Sequence, residues 1–169
     1  GLRWYCLIVL HNGGFCMSET MLSFTIQGDN EGYVTFTCPY CNSDFKLQAG
    51  EYQNDEEPFS ELFCPYCGLS KEKASFYSED VIEKARELAT NYAIEELNKA
   101  FGKMAKSINR KKGIIKMTYK PLKKVNVREL KEKDTQEVEF QCTICNHHTK
   151  VLYCAGASKI FCPYCGLDL

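Results

Sequence analysis

The sequence predicts an α+β fold: two small antiparallel modules, each pinned by four cysteines, joined by one long α-helix and a basic β segment. Three observations predict it. Eight of the eleven cysteines fall into four C-x-x-C pairs. The heptapeptide Phe-Cys-Pro-Tyr-Cys-Gly-Leu occurs twice, from Phe63 to Leu69 and again from Phe161 to Leu167. Between the two copies, apolar residues recur at helical spacing from about 78 to 108.

The cysteine pairs carry the chemistry. Each heptapeptide follows another C-x-x-C, Cys38/Cys41 for the first and Cys142/Cys145 for the second, at separations of 22 and 16 residues. A disulfide framework would scatter its cysteines, whereas paired cysteines point two sulfurs at one ion. The chain is therefore expected to hold two Zn2+ ions, one through Cys38, Cys41, Cys64 and Cys67 and one through Cys142, Cys145, Cys162 and Cys165. Proline pre-sets each knuckle turn, and glycine permits the positive φ that lets backbone N–H groups face the thiolates. Thiolate chemistry implies a reducing compartment, read as the cytoplasm.

Taken in order, residues 1–16 read as a leader or cloning remnant, because Met17 follows Asn12-Gly13-Gly14, whose glycine codons can serve as a bacterial-type ribosome-binding site. Cys6, His11 and Cys16 are then bystanders. The first module is placed at 17–72. Leu22, Phe24 and Ile26 alternate with polar residues, as do Val34 and Phe36, and 28–32 reads as a turn, so a hairpin is expected to feed the first knuckle. Phe45 and Leu47 continue a strand. Residues 51–61 form an acidic tip, either a solvated loop or a docking point for a basic partner.

The central helix is placed within 76–110. Ser78 can cap it, and Glu79 and Asp80 suit its first turn. Its apolar stripe runs from Val81 and Leu88 to Met104 and drifts around the axis, so its two ends are expected to pack on different surfaces, one module each. The rival expectation is a homodimer through Leu97, Phe101 and Met104.

Near-neutral total charge conceals strong polarity. Residues 103–133 hold twelve Lys/Arg against two acids, and residues 17–102 hold six against sixteen. The connector at 111–135 is expected to carry one or two strands, with Lys116, Thr118 and Lys120 on one side and Ile115, Met117 and Tyr119 on the other. A phosphate backbone is one partner for this segment, and the candidate contacts are Arg110, Lys111, Lys112, Lys116, Lys120, Lys123 and Lys124. A solubilising edge and a contact with the acidic half are the alternatives.

The second module, 136–169, repeats the first. Val138 to Asn146 aligns with Val34 to Asn42, and Lys150-Val151 with Lys46-Leu47. This pattern resembles the zinc ribbons of basal transcription factors and of many small prokaryotic proteins, and rubredoxin-type knuckles share its C-P-x-C-G half. The resemblance covers the two modules and implies structural zinc in antiparallel ribbons. Rubredoxins usually place glycine after the first knuckle too, where this chain has Asn42 and Asn146; that favours zinc over an iron electron carrier. Cys154 reads as a small buried residue, and His147 and His148 follow Cys145 too closely to displace the paired cysteines.

No stretch reaches the ~18 apolar residues of a membrane span. H-E-x-x-H, phosphate-binding glycine loops, G-x-S-x-G and the H-x-E deaminase pattern are missing. The expected function is therefore non-catalytic: nucleic-acid binding through 103–133, with a protein–protein adaptor in a bacterial multi-protein system as the alternative and a rubredoxin-like iron carrier as the third.

Overall fold

The computed structural model describes residues 3–11, 19–53, 59–110, 116–130, 132, 135–152 and 159–169, with side chains from Ser23 onward. It is α+β, as expected. The chain divides into two compact units, one of Gly1–Leu7, Ser23–Ile82 and Glu129–Leu169, the other of Ile8–Leu22 and Glu83–Arg128.

Strands β1 (Arg3–His11) and β2 (Glu19–Gln27) form a two-stranded sheet, so residues read as a leader contribute a strand. Cys16 lies outside the described residues. After β2 the chain turns through Asp29, whose Oδ1 accepts the N–H groups of Glu31 (3.1 Å) and Tyr33 (2.9 Å). The turn falls where the sequence placed it, but the strands on either side do not pair with each other. β3 (Tyr33–Thr37) pairs antiparallel with β4 (Asp44–Gln48) instead, because the first cysteine knuckle between them reverses the chain.

The second module repeats this with β7 (Glu137–Gln141) and β8 (His148–Leu152), and the four strands make one antiparallel sheet in the order β3-β4-β8-β7. The two modules therefore lie side by side, and the expectation of one at each end of the helix is not met. The inner strands meet with equivalent residues opposed, Lys46 facing Lys150. Such self-opposed pairing is the mark of a two-fold axis. The duplicated sequence has folded as an isologous pair within one chain.

The axis extends through the side chains. Lys46 reaches Glu137, at the start of β7, at 3.7 Å, and Lys150 lies 4.3 Å from the ring of Tyr33, the equivalent position in β3. Lys46 is also 3.1 Å from Asp29. Burial alone would raise the Asp29 carboxyl, but the Tyr33 amide and Lys46 hold it below its ordinary value. Under the sheet Val34, Phe36, Phe45, Leu47, Phe76 and Val151 are fully buried, with Phe76 set edge-on to Phe45 at 5.9 Å. A short pair, β5 (Glu61–Phe63) with β6 (Ser70–Glu72), frames the second knuckle of the first module.

Helix α1 (Ala49–Tyr52) opens the stretch read as an acidic tip. Glu51 there is engaged: its carboxylate accepts the His148 N–H at 2.7 Å and lies 2.6 Å from the His148 ring nitrogen. Residues 54–58 of the tip lie outside the described residues.

Helix α2 spans Glu79–Arg110, close to its predicted bounds. The connector differs from expectation, since no strand forms among its described residues. Lys116, Thr118 and Lys120 are exposed while Met117 and Tyr119 are half-buried, so the predicted alternation is present. The main-chain partners come from the helix. Asn109 donates to the Met117 carbonyl and accepts its N–H, both at 2.9 Å. Asn98 does the same for Leu122 (2.9 and 2.8 Å) and Asn91 for Val125 (2.9 and 2.7 Å).

The spacing explains why all three engage. Asn91, Asn98 and Asn109 stand two and three turns apart on one line of the helix. Seven and eleven helical residues rise about 10 and 16 Å, and the three and five extended residues they clamp span about the same lengths. Phe101 packs on Tyr119 at 5.5 Å, and Lys124–Glu95 and Arg128–Glu83 pairs, both 2.8 Å, flank the line. Replacing Asn98 by Ala is expected to speed amide exchange at Leu122 and proteolysis at 116–125 while leaving the sheet amides protected; unchanged exchange at Leu122 would show that the clamp does not hold the connector.

Candidate metal centres

Each centre is built from two knuckles on strand ends. In all four, the N–H of the fourth residue after the first cysteine returns to that cysteine's carbonyl, at 2.8–2.9 Å: Asn42 to Cys38, Gly68 to Cys64, Asn146 to Cys142 and Gly166 to Cys162. The same four residues have left-handed φ of 55°, 72°, 60° and 71°, which turns the chain so that the carbonyl of the next residue accepts the first cysteine's N–H at 2.7–3.0 Å. Asparagine is the residue that tolerates this region best after glycine, so the departure from glycine at 42 and 146 keeps the geometry. The turn also aims N–H groups at sulfur: Tyr40 N–H to Cys38 Sγ and Tyr66 N–H to Cys64 Sγ, each 3.4 Å.

The sulfurs of Cys38, Cys41, Cys64 and Cys67 all lie within 4.8 Å of one another, as do those of Cys142, Cys145, Cys162 and Cys165. The structure thus brings together the four cysteines of each set that the sequence singled out. The cross-knuckle sulfurs are 3.6 and 3.8 Å apart in the first centre and 3.5 and 3.7 Å in the second. A tetrahedron with metal–sulfur bonds of about 2.3 Å has edges of about 3.8 Å, whereas a disulfide needs about 2.05 Å. All eight cysteines are free thiols arranged for two ions.

Electrostatics within the sets is uneven. Burial pushes the Cys64 and Cys162 thiols well up and Cys145 up to about 11. Burial raises Cys41 too, but hydrogen bonds with Ser43, Cys38 and Cys64 together bring it down to about 7. Cys41 is also the one exposed ligand; the second centre has none. Buried thiols that must lose protons make metal binding and folding one process.

The two centres brace each other. Phe63 N–H donates to the Pro163 carbonyl at 2.8 Å, and Phe161 N–H to the Pro65 carbonyl at 2.9 Å. A side chain at Gly166 would meet the Phe63 ring at 2.8 Å, and one at Gly68 would meet Phe161 at 3.1 Å. Tyr66 OH donates to the Asp44 carbonyl (2.8 Å) and accepts the Leu152 N–H (3.1 Å), tying the copies once more. The repeated heptapeptide thus serves two ends. Its cysteines supply two of the four sulfurs that can hold the module's own ion, and its phenylalanine and glycine fit the other module. The sequence displayed the repeat but nothing that identified Phe63 and Phe161 as mutual contacts.

His147 and His148 join neither cysteine set. His147 stacks on Tyr164 at 4.1 Å, and His148 is held by Glu51. Cys154 lies outside the described residues. Of the basic candidates, Lys111 and Lys112 lie outside them too. Arg110 joins Lys103, Lys106 and Ser107 around an open hollow. Lys116, Lys120 and Lys123 are exposed. Lys124 is paired to Glu95, whose carboxyl it holds below its ordinary value. These residues are strung along the helix end and connector rather than gathered at one point.

No family model, curated protein or solved structure matches the chain. Its class therefore rests on geometry: two four-cysteine clusters at metal-binding distance, each carried by antiparallel strands, form a tandem zinc-ribbon-like arrangement. No helix among the described residues is long and apolar enough to cross a membrane.

Because the modules brace each other, losing one ion is expected to weaken the other site. Cys162→Ser should remove one metal equivalent and lower the first centre's affinity by the roughly 0.5–3 kcal/mol typical of directly coupled sites. Gly166→Ala, which keeps all eight ligands, should lower metal affinity in the same direction. Chelator competition measures both, and wild-type affinity in the surviving centre would show the ribbons to be independent.

Proposed function

We propose that this is a non-catalytic zinc protein that binds nucleic acid through the cationic end of α2 and the connector. The observation that carries this reading is the grouping of Lys103, Lys106 and Arg110 on one helix face around a shared hollow. They follow a helix half rich in acids, Glu79, Asp80, Glu83, Glu87, Glu95 and Glu96, so the element is strongly polarised. Exposed Lys116, Lys120 and Lys123 continue the positive surface along an extended chain. Lys124 and Arg128 contribute less, since acids of the helix already pair with them.

Four cysteines fill a tetrahedral ion's coordination, leaving no position for water or substrate. The ions then serve structure, contributing on the order of 10 kcal/mol each to folding. Zinc is read over iron from the resemblance of the repeated cysteine pattern to zinc ribbons, and thiolate zinc fits a reducing cytoplasm.

A second reading has its own observation. Leu97, Phe101 and Met104 remain 45, 37 and 44 % exposed along the helix, which suits a protein partner or a homodimer.

A mobility-shift titration of single- and double-stranded DNA and RNA at two salt concentrations separates these readings. Phosphate contacts give an affinity that falls with salt by a logarithmic slope of about 0.7–0.9 per contact. Lys106→Glu with Arg110→Glu should weaken binding and reduce that slope by about two contacts. No binding at low salt would leave the protein-partner reading.

A further inference from the structure

The four-stranded sheet ends in β3 on one side and β7 on the other, and the duplicated halves treat these outer edges differently. The two strands hold equivalent places. Thr35 lies opposite Lys46, and Glu139 lies opposite Lys150 in the same antiparallel register. On β3 the outer edge is closed. Thr35 directs its N–H away from β4 to Glu132 at 3.3 Å, and Phe36 forms an antiparallel bridge with Tyr77. Tyr77 comes shortly after β6, so the chain beyond the first heptapeptide returns to cover its own module.

β7 has no counterpart of that bridge among the described residues. The other isolated bridge there, Phe161 with Asp168, lies at the fourth knuckle. Glu139 and Gln141 stand where Thr35 and Thr37 stand in β3, so the shared register turns their N–H and C=O groups away from β8. Both residues are exposed, while Val138 and Phe140 between them are half-buried and point to the opposite face. Main-chain groups aimed outward from an exposed edge can pair with one more strand.

The first copy shows the form of the occupant, an extended antiparallel segment, and charge shows its chemistry. Residues opposed across a sheet share a face, so Glu139 stands beside Lys150 and Lys46. Those ammonium groups are already matched. Lys46 lies between Asp29 and Glu137, and Lys150 pairs with Glu31. The Glu139 carboxylate, which accepts from the Tyr33 hydroxyl, therefore adds uncompensated negative charge. A strand with a cation opposite Glu139 is favoured there, and an acidic one is opposed. β7 of a second copy would bring its own Glu137 and Glu139 to the same face and is disfavoured for that reason.

We propose that the outer edge of β7 takes up an extended segment of a partner protein by antiparallel strand addition, with a lysine or arginine opposite Glu139 and apolar residues opposite Val138 and Phe140. The edge belongs to the metal-bearing unit and not to the unit with the cationic surface, so this reading stands apart from nucleic-acid binding.

The test uses the full metal-loaded chain and three capped pentapeptides, followed by amide chemical shifts. These are Thr-Val-Lys-Val-Thr, the same peptide with glutamate in place of lysine, and the lysine peptide methylated on the main-chain nitrogen of its lysine. The lysine peptide is expected to bind saturably, with a dissociation constant of about 1 mM, and to shift the Glu139 and Gln141 amides. The glutamate peptide should bind about threefold more weakly or worse, the scale of one cross-strand charge pair. Methylation should abolish binding, because it removes a ladder donor. Glu139→Gln, a change at an exposed position, should erase the preference for lysine over glutamate. Absence of lysine-peptide binding at 10 mM (roughly the weakest range worth calling a site), shifts confined to other residues, equal binding of the methylated peptide, or a charge preference unchanged in Glu139→Gln would each overturn the proposal. So would Glu139 and Gln141 shifts that follow protein concentration without peptide, which would assign the edge to a second copy.

Discussion

Four sulfurs around one point set the geometry on which the rest of the structure depends. Cross-knuckle separations of 3.5–3.8 Å oblige two chain reversals to meet at each centre; three of the four reversals join paired strands, and the fourth carries a single bridge between Phe161 and Asp168. β3 meets β4 across the Cys38–Cys41 knuckle, and β7 meets β8 across Cys142–Cys145. Buried thiols that lose their protons to an ion couple metal binding to folding, so two filled centres would supply much of what a larger core supplies elsewhere.

Duplication adds the second constraint. A ribbon alone exposes an edge strand, and an unpaired edge is a hazard. Here the edge of each copy is covered by the other, through β4 against β8 and through the reciprocal Phe63–Gly166 and Phe161–Gly68 fits. What two subunits of a homodimer would do for each other, two halves of one chain do. The two-fold relation is imperfect where function or packing has intervened. Tyr66 ties strands with its hydroxyl, while the equivalent Tyr164 stacks on His147 and keeps its hydroxyl buried without a partner.

The ligand sets, the helix and the alternation in β3, β4 and 116–120 were legible because each depends on local spacing. Pairing was not. Leu22 to Phe36 reads as a hairpin by periodicity, but periodicity does not say which strand a strand meets, and the knuckle rather than the Asp29 turn decided it. The apolar drift along α2 likewise said nothing about β4 meeting β8. One signal was present and passed over: Asn91, Asn98 and Asn109 are poor helix formers placed on a single line of a long helix, and their clamping of Met117, Leu122 and Val125 is the reason. The connector's lysines looked uniform in sequence, yet acids four and eight residues before Asn91 and four after it pair with Arg128 and Lys124.

Metal binding and the cationic surface are carried by different compact units, so charge on the second can vary without disturbing the thiolate geometry of the first. The central claim concerns that geometry alone. X-ray absorption at the metal edge of the purified protein, with metal content measured on the same sample, tests it most directly. The account predicts two ions per chain, each with four sulfurs at about 2.3 Å; fewer ions, or a first shell containing nitrogen or oxygen in place of any of the eight sulfurs, would contradict it.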